Sequence, residues 1–136
     1  MQKKIFVSLP VRDLAHSTAF YAALGLERHA PLSDETAACM VWSDAILVAL
    51  ISHERWRTMT QRPLPPAGTA ASMLSLVLPT REAVDTMTTT AGAQGGQADA
   101  NPAEDLGFMY QRTLADPDGH IWEPFWMDPA AVPPSE

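Results

Sequence analysis

The sequence predicts an α+β fold in which one unit, a strand, a helix and then a run of short strands, is used twice. Three observations carry that expectation. Two apolar, β-branched stretches, KKIFVSLPV and SMLSLVLPT, each end at or beside a proline and lead into a residue suited to capping a helix, Asp13 or Thr80. Each helical stretch is closed by glycine, Gly25 or the AGAQGG cluster, and each is followed by a hairpin pattern. Between the halves lies QRPLPPAG, a proline-rich connector at 61–68.

The halves span about 3–52 and 72–127, and PAAVPPSE at 129–136 reads as an irregular tail. In the first half, strand 3–11 precedes a helix in which Leu14, Ser17, Phe20, Tyr21 and Leu24 form an apolar stripe. AACMVW and AILVALI follow, separated by Ser43 and Asp44, so a tight hairpin is expected. The segment 54–62, ERWRTMTQR, is either a lid or a short helix. In the second half, strand 72–80 leads to a helix over 81–91 with Val84, Met87 and Ala91 on one face. Strands FMYQRTLA and HIWEPFW are then joined by DPDG, whose residues suit a type I turn in order. Weak extra strands fit near 27–30 and 97–100. Two units of this kind, each with a helix on one face of its sheet, leave two uncovered faces that can enclose a cavity.

Composition narrows the function. With 136 residues, 46% of them hydrophobic, the chain suits one compact domain. Nine basic against sixteen acidic residues give a net charge of −7, unsuited to phosphate backbones or anionic lipid. Neither nucleic acid nor membrane is an expected partner, and the longest apolar run, AILVALI, is far below the ~20 residues of a bilayer span. One cysteine, Cys39, forms no internal disulfide, and the opening residues lack a secretory apolar core, so a cytoplasmic setting is expected.

FVSLPVRDLAHSTAFYAALGLE and DPDGHIWEPFW resemble the opening and the closing hairpin of vicinal oxygen chelate proteins: glyoxalase I, bleomycin resistance proteins and extradiol dioxygenases. The resemblance covers nearly the whole chain. It implies paired βαβββ modules whose sheets wrap a ligand cavity, and a function anywhere from binding to lyase, isomerase or dioxygenase chemistry. The family's enzymes usually hold a divalent metal through the first and last strands of each unit. Those positions fall at Phe6, at Val48 (Leu50 with a two-residue slip), at Met73 and at Glu123. Glu123 alone is a competent oxygen ligand, and His16, His29, His53 and His120 have no ligand spacing, so no metal or other cofactor is expected.

The carboxylate in HIWEPFW is the focus. Glu123 alternates with Ile121 and Phe125, which in the resembled fold face the cavity, while Trp122 and Trp126 fill the helix-covered side. Without a metal it needs hydrogen bonds, a proton or a cation such as Arg112, which shares a strand face with Tyr110. Ser8 lies on the Phe6 face, and Cys39 reads as a small buried hydrophobe. The expectation is a protein, enzyme or not, that binds a small organic molecule in an apolar cavity. Phe6, Ser8, Val48, Met73, Tyr110 and Arg112 line it, and Glu123 is the catalytic candidate. A metal-dependent lyase, isomerase or dioxygenase of the glyoxalase I type is the alternative. The apolar strand surface further predicts a homodimer.

Overall fold

A computed structural model describes residues 2–131. The chain divides into two compact units, Met1–Thr69 and Ala70–Glu136.

Unit one runs β1 (Ile5–Val11), α1 (Leu14–Ala23), β2 (Glu27–Arg28), β3 (Ala37–Val41), β4 (Ile46–Ser52) and α2 (His53–Met59). Its sheet has the order β1-β4-β3-β2, with β1 parallel to β4 and the other pairs antiparallel. Asp13 caps α1 by accepting from the His16 amide at 3.0 Å, and Gly25, at φ +105°, turns the chain out of it. The expected hairpin closes with the Trp42 amide donating to the Ile46 carbonyl. Segment 54–62 resolves mainly into the short helix α2, capped by Ser52. One sheet face carries Leu9, Val11, Val48, Leu50, Ala38 and Met40, all buried, as are Phe20 and Tyr21 of α1. Those two rings meet edge to face at 5.1 Å.

Unit two runs β5 (Met73–Val77), α3 (Arg81–Ala93), β6 (Gln97–Ala98), β7 (Glu104–Asp105), β8 (Met109–Gln111), β9 (Leu114–Ala115) and β10 (Ile121–Met127). β10 pairs in parallel with β5 on one side and antiparallel with β8 and β9 on the other. The single strand expected over 108–115 is therefore two strands. Opposite the gap stands Pro124, which has no N–H to donate; the Arg112 amide still reaches the Pro124 carbonyl at 3.1 Å, but nothing returns. Thr80 caps α3, and the DPDG turn forms as expected, with the Gly119 amide on the Asp116 carbonyl at 2.9 Å. The Asp116 carboxylate also accepts from the Asp118 and His120 amides, which accounts for an acid only 3% exposed. Buried Leu76, Leu78, Val84, Met87, Ala91, Leu114 and Trp122 form the core.

Residues 61–68 lie outside any helix or strand. Of the tail, Pro129–Ala131 forms one 3-10 turn, and residues 132–136 lie outside those described. Among the described residues, no helix is long and apolar enough to cross a membrane.

Candidate functional site

Strand register decides which side chains share a face. In unit two, Met73 lies opposite Ile121, Ser75 opposite Glu123 and Val77 opposite Phe125, so these six line the face turned away from α3. The other face of β5 and β10, with Leu76 and Trp122, is buried. Glu123 is thus the one charged group in a row that is apolar apart from Ser75. Ser75 Oγ donates to its Oε1 at 3.1 Å, and Gln111 Nε2 donates to its Oε2 at 2.6 Å. Hydrogen bonds from two neutral groups, with partial solvent access, are what the carboxylate uses in place of a buried counterion.

Arg112 does not serve that purpose. Thr113 and Glu123 stand in register across the strands, so Arg112 and Tyr110 project to the helix side, contrary to the cavity-lining placement read from the sequence. Arg112 is gripped there by two carboxylates. Nε and Nη2 donate to Asp99 at 2.9 and 2.7 Å, and Nη1 donates to Asp85 of α3 at 3.0 Å. Tyr110 Oη donates to the same Asp85 oxygen at 2.6 Å. The Tyr110 hydrogen bond, followed by Arg112, holds the Asp85 carboxyl below the usual carboxylate range, and Arg112 does the same for Asp99. The guanidinium is in turn pushed further above its ordinary value, chiefly by Asp99. A second arginine, Arg81 at the start of α3, lies over the Trp126 and Tyr110 rings at 4.9 and 5.2 Å and pairs with both oxygens of Asp105.

Unit one differs at the matching positions. Phe6 lies opposite Leu47 and Ser8 opposite Ala49, on the face not covered by α1. Val48 alternates with them and is fully buried on the helix-covered side; Leu50 is too. The sequence placement of Val48 in a ligand site is therefore off by one residue, and a two-residue slip to Leu50 does not repair it. Ser8 and Ser75 each stand five residues ahead of their helix caps, Asp13 and Thr80, so Ala49 is the counterpart of Glu123. A recess of about 410 Å³ opens at one end of this face, lined by Phe6, Val41 and Leu47 with Lys4, Arg28 and Asp44 among the polar residues.

Gln111 is the partner that residue type alone did not reveal. A signal existed. The Asp116 amide bonds the His120 carbonyl, and counting back from that pair puts Thr113 opposite Glu123 and leaves Gln111 one diagonal step away.

A family model described as the Glyoxalase/Bleomycin resistance protein/Dioxygenase superfamily matches residues 5–123. The chain belongs to that superfamily. Solved structures agree on the fold. A hypothetical protein from S. aureus is 25% identical at a TM-score of 0.77, over 93% of this chain and 95% of that one. A glyoxalase/bleomycin resistance protein/dioxygenase family enzyme from Burkholderia phytofirmans is 19% identical, also at 0.77, over 90% and 96%. A glyoxalase-related enzyme from Fulvimarina pelagi is 21% identical at 0.76, over 93% and 88%. No curated protein sequence matches.

The superfamily's metal positions can be tested on the donors present. With the register corrected they are Phe6 and Ala49 in unit one and Met73 and Glu123 in unit two. Phenylalanine and alanine offer no donor, and a thioether suits soft copper rather than zinc, nickel, iron or manganese. Among the described residues, no three or more His, Cys, Asp or Glu side chains converge to hold a metal ion. This donor set does not fit the divalent metal of the superfamily's enzymes.

Proposed function

We propose that this chain binds a small organic molecule on the open face of unit two, with Glu123 as the anchoring and proton-accepting group, and without a protein-held divalent metal. The observation that carries the reading is a single carboxylate, held by Ser75 and Gln111, in a row otherwise made of Met73, Val77, Ile121 and Phe125. A carboxylate in that setting orients a ligand's donor group or takes a proton from it. Family membership supports a small-molecule role and leaves binding and catalysis both open.

Two measurements test this. Protein purified without chelators should contain no stoichiometric zinc, nickel, iron or manganese; a stoichiometric metal would favour the metal-dependent alternative. Compounds that raise the melting temperature in a small-molecule screen should lose most of that effect in Glu123→Gln, whose own melting temperature should stay within a few degrees of the parent. A screen without hits would favour a purely structural module.

The same reading includes a homodimer. β1 and β5 each pair with a neighbour on one side only, and Ile5, Phe6, Met73 and Val77 are 52–67% exposed, which suits association of apolar strand edges between copies. Sedimentation at micromolar concentration should give twice the chain mass; a persistent monomer would remove this part. The same reading places the chain in a cytoplasmic, reducing setting, on the ground that its single cysteine, Cys39, can form no internal disulfide.

A further inference from the structure

We infer that the ligand of unit two's open face is an organic cation, a protonated amine carried on an apolar body, with its ammonium seated on Glu123. This rests on the small-molecule reading above and narrows it to one charge class.

Residues 70–136 contain ten carboxylate side chains and two arginines. Both arginines are committed elsewhere, Arg112 to Asp85 and Asp99 and Arg81 to Asp105. The partners that Glu123 has among the described residues, Ser75 and Gln111, are neutral, so none of them serves it as a counterion. Ser75 has spent its one O–H on Oε1, and Gln111 has spent one of its two N–H groups on Oε2. What remains on the cluster is mostly acceptor: the further lone pairs of the carboxylate, the serine oxygen and the amide carbonyl. An ammonium brings three donors and a compensating charge. A carboxylate or phosphate would bring more acceptors and meet repulsion. Met73 and Val77, 56% and 67% exposed, flank the cluster in the same row and favour a hydrophobic body on the cation over a small hydrated ion.

The test is a matched series on one skeleton, 2-phenylethylamine, 2-phenylethanol and phenylacetate, titrated into the full chain. Binding is followed by the NMR shifts of the Gln111 side-chain amide and of the Met73, Ser75 and Glu123 backbone amides. The amine should shift these signals saturably and bind at least tenfold tighter than the alcohol, and phenylacetate should leave them unmoved. Raising ionic strength should shrink the advantage of the amine. Glu123→Gln should bring the amine down to the affinity of the alcohol; if that variant folds poorly, the series and its salt dependence in the parent decide the matter. Alcohol binding as tightly as amine, or phenylacetate at the same signals, would overturn the charge class and leave the small-molecule reading standing. Silence from all three at millimolar concentration would overturn both.

Discussion

The two units share a topology and a helix-capping scheme, yet differ where their open faces carry chemistry. Ser8 faces Ala49 in unit one, and Ser75 faces Glu123 in unit two. Because the same strand pair forms around alanine in one unit, the fold does not require a carboxylate at that place in the other. Glu123 is an addition to the architecture rather than part of it. Its supports are local. On β3, the position matching Gln111 is Ala37, opposite Ile51 as Gln111 is opposite Phe125, so unit one also lacks the amide that would steady an acid.

The units differ on their helix sides too. Unit one relies on Phe20, Tyr21 and the buried aliphatic residues of its sheet, whereas unit two adds the Arg112–Asp85–Asp99 cluster and Tyr110 between α3 and β8. Removing that cluster should have the largest effect. Arg112 is 16% exposed, whereas Asp85 and Asp99 are 52% and 43% exposed, so the loss falls short of a fully buried pair. Arg112→Ala should cost about 2 kcal/mol in denaturant unfolding. It should also alter the acid limb. Asp85 and Asp99 have folded-state pKa values below the ordinary carboxylate value. Their contribution is therefore complete above about pH 5 and is lost as pH falls through the ordinary carboxylate value to the depressed ones. The stability gap between parent and variant should narrow on acidification from about pH 5 to below 3. A gap constant with pH would show that the cluster acts through packing alone.

Much of this contrast was legible in the sequence, and what was not has a single physical origin. Asp13, Thr80, Gly25 and DPDG are local signals whose mechanisms need only neighbouring residues, and each forms as expected. Face assignment needs register, where a shift of one residue inverts every side chain. For Arg112 the register could be counted from the DPDG turn. For Val48 it could not be, because β1 and β4 are parallel and joined through a helix and two more strands, so no turn sets their offset. Strand β7, which pairs with β8, was not foreseen either, since Glu104 and Asp105 have low strand propensity; Arg81 holds Asp105, and the pairing closes across Gly107.

The smaller effect is a reciprocal exchange between the units. Glu123→Ala gives unit two the residue of unit one, and its partners Ser75 and Gln111 retain access to water, so it should change stability by no more than about 0.5 kcal/mol. Ala49→Glu is the demanding direction. Cys39 is 3% exposed and directly opposite, Leu47 is 8% exposed two residues away, and Ser8 across the strand offers the new carboxylate one hydroxyl. Lacking a counterpart of Gln111, that group loses hydration without full replacement, at a cost of about 1–2 kcal/mol. Adding Ala37→Gln supplies a donor at the position matching Gln111, and should recover about half of that cost if the amide, rather than solvent access, is what makes an acid tolerable on this strand pair. Urea unfolding of the three variants measures each term. Equal costs for Ala49→Glu with and without Ala37→Gln would show that the amide contributes nothing, and that solvent access alone keeps Glu123 in place in unit two.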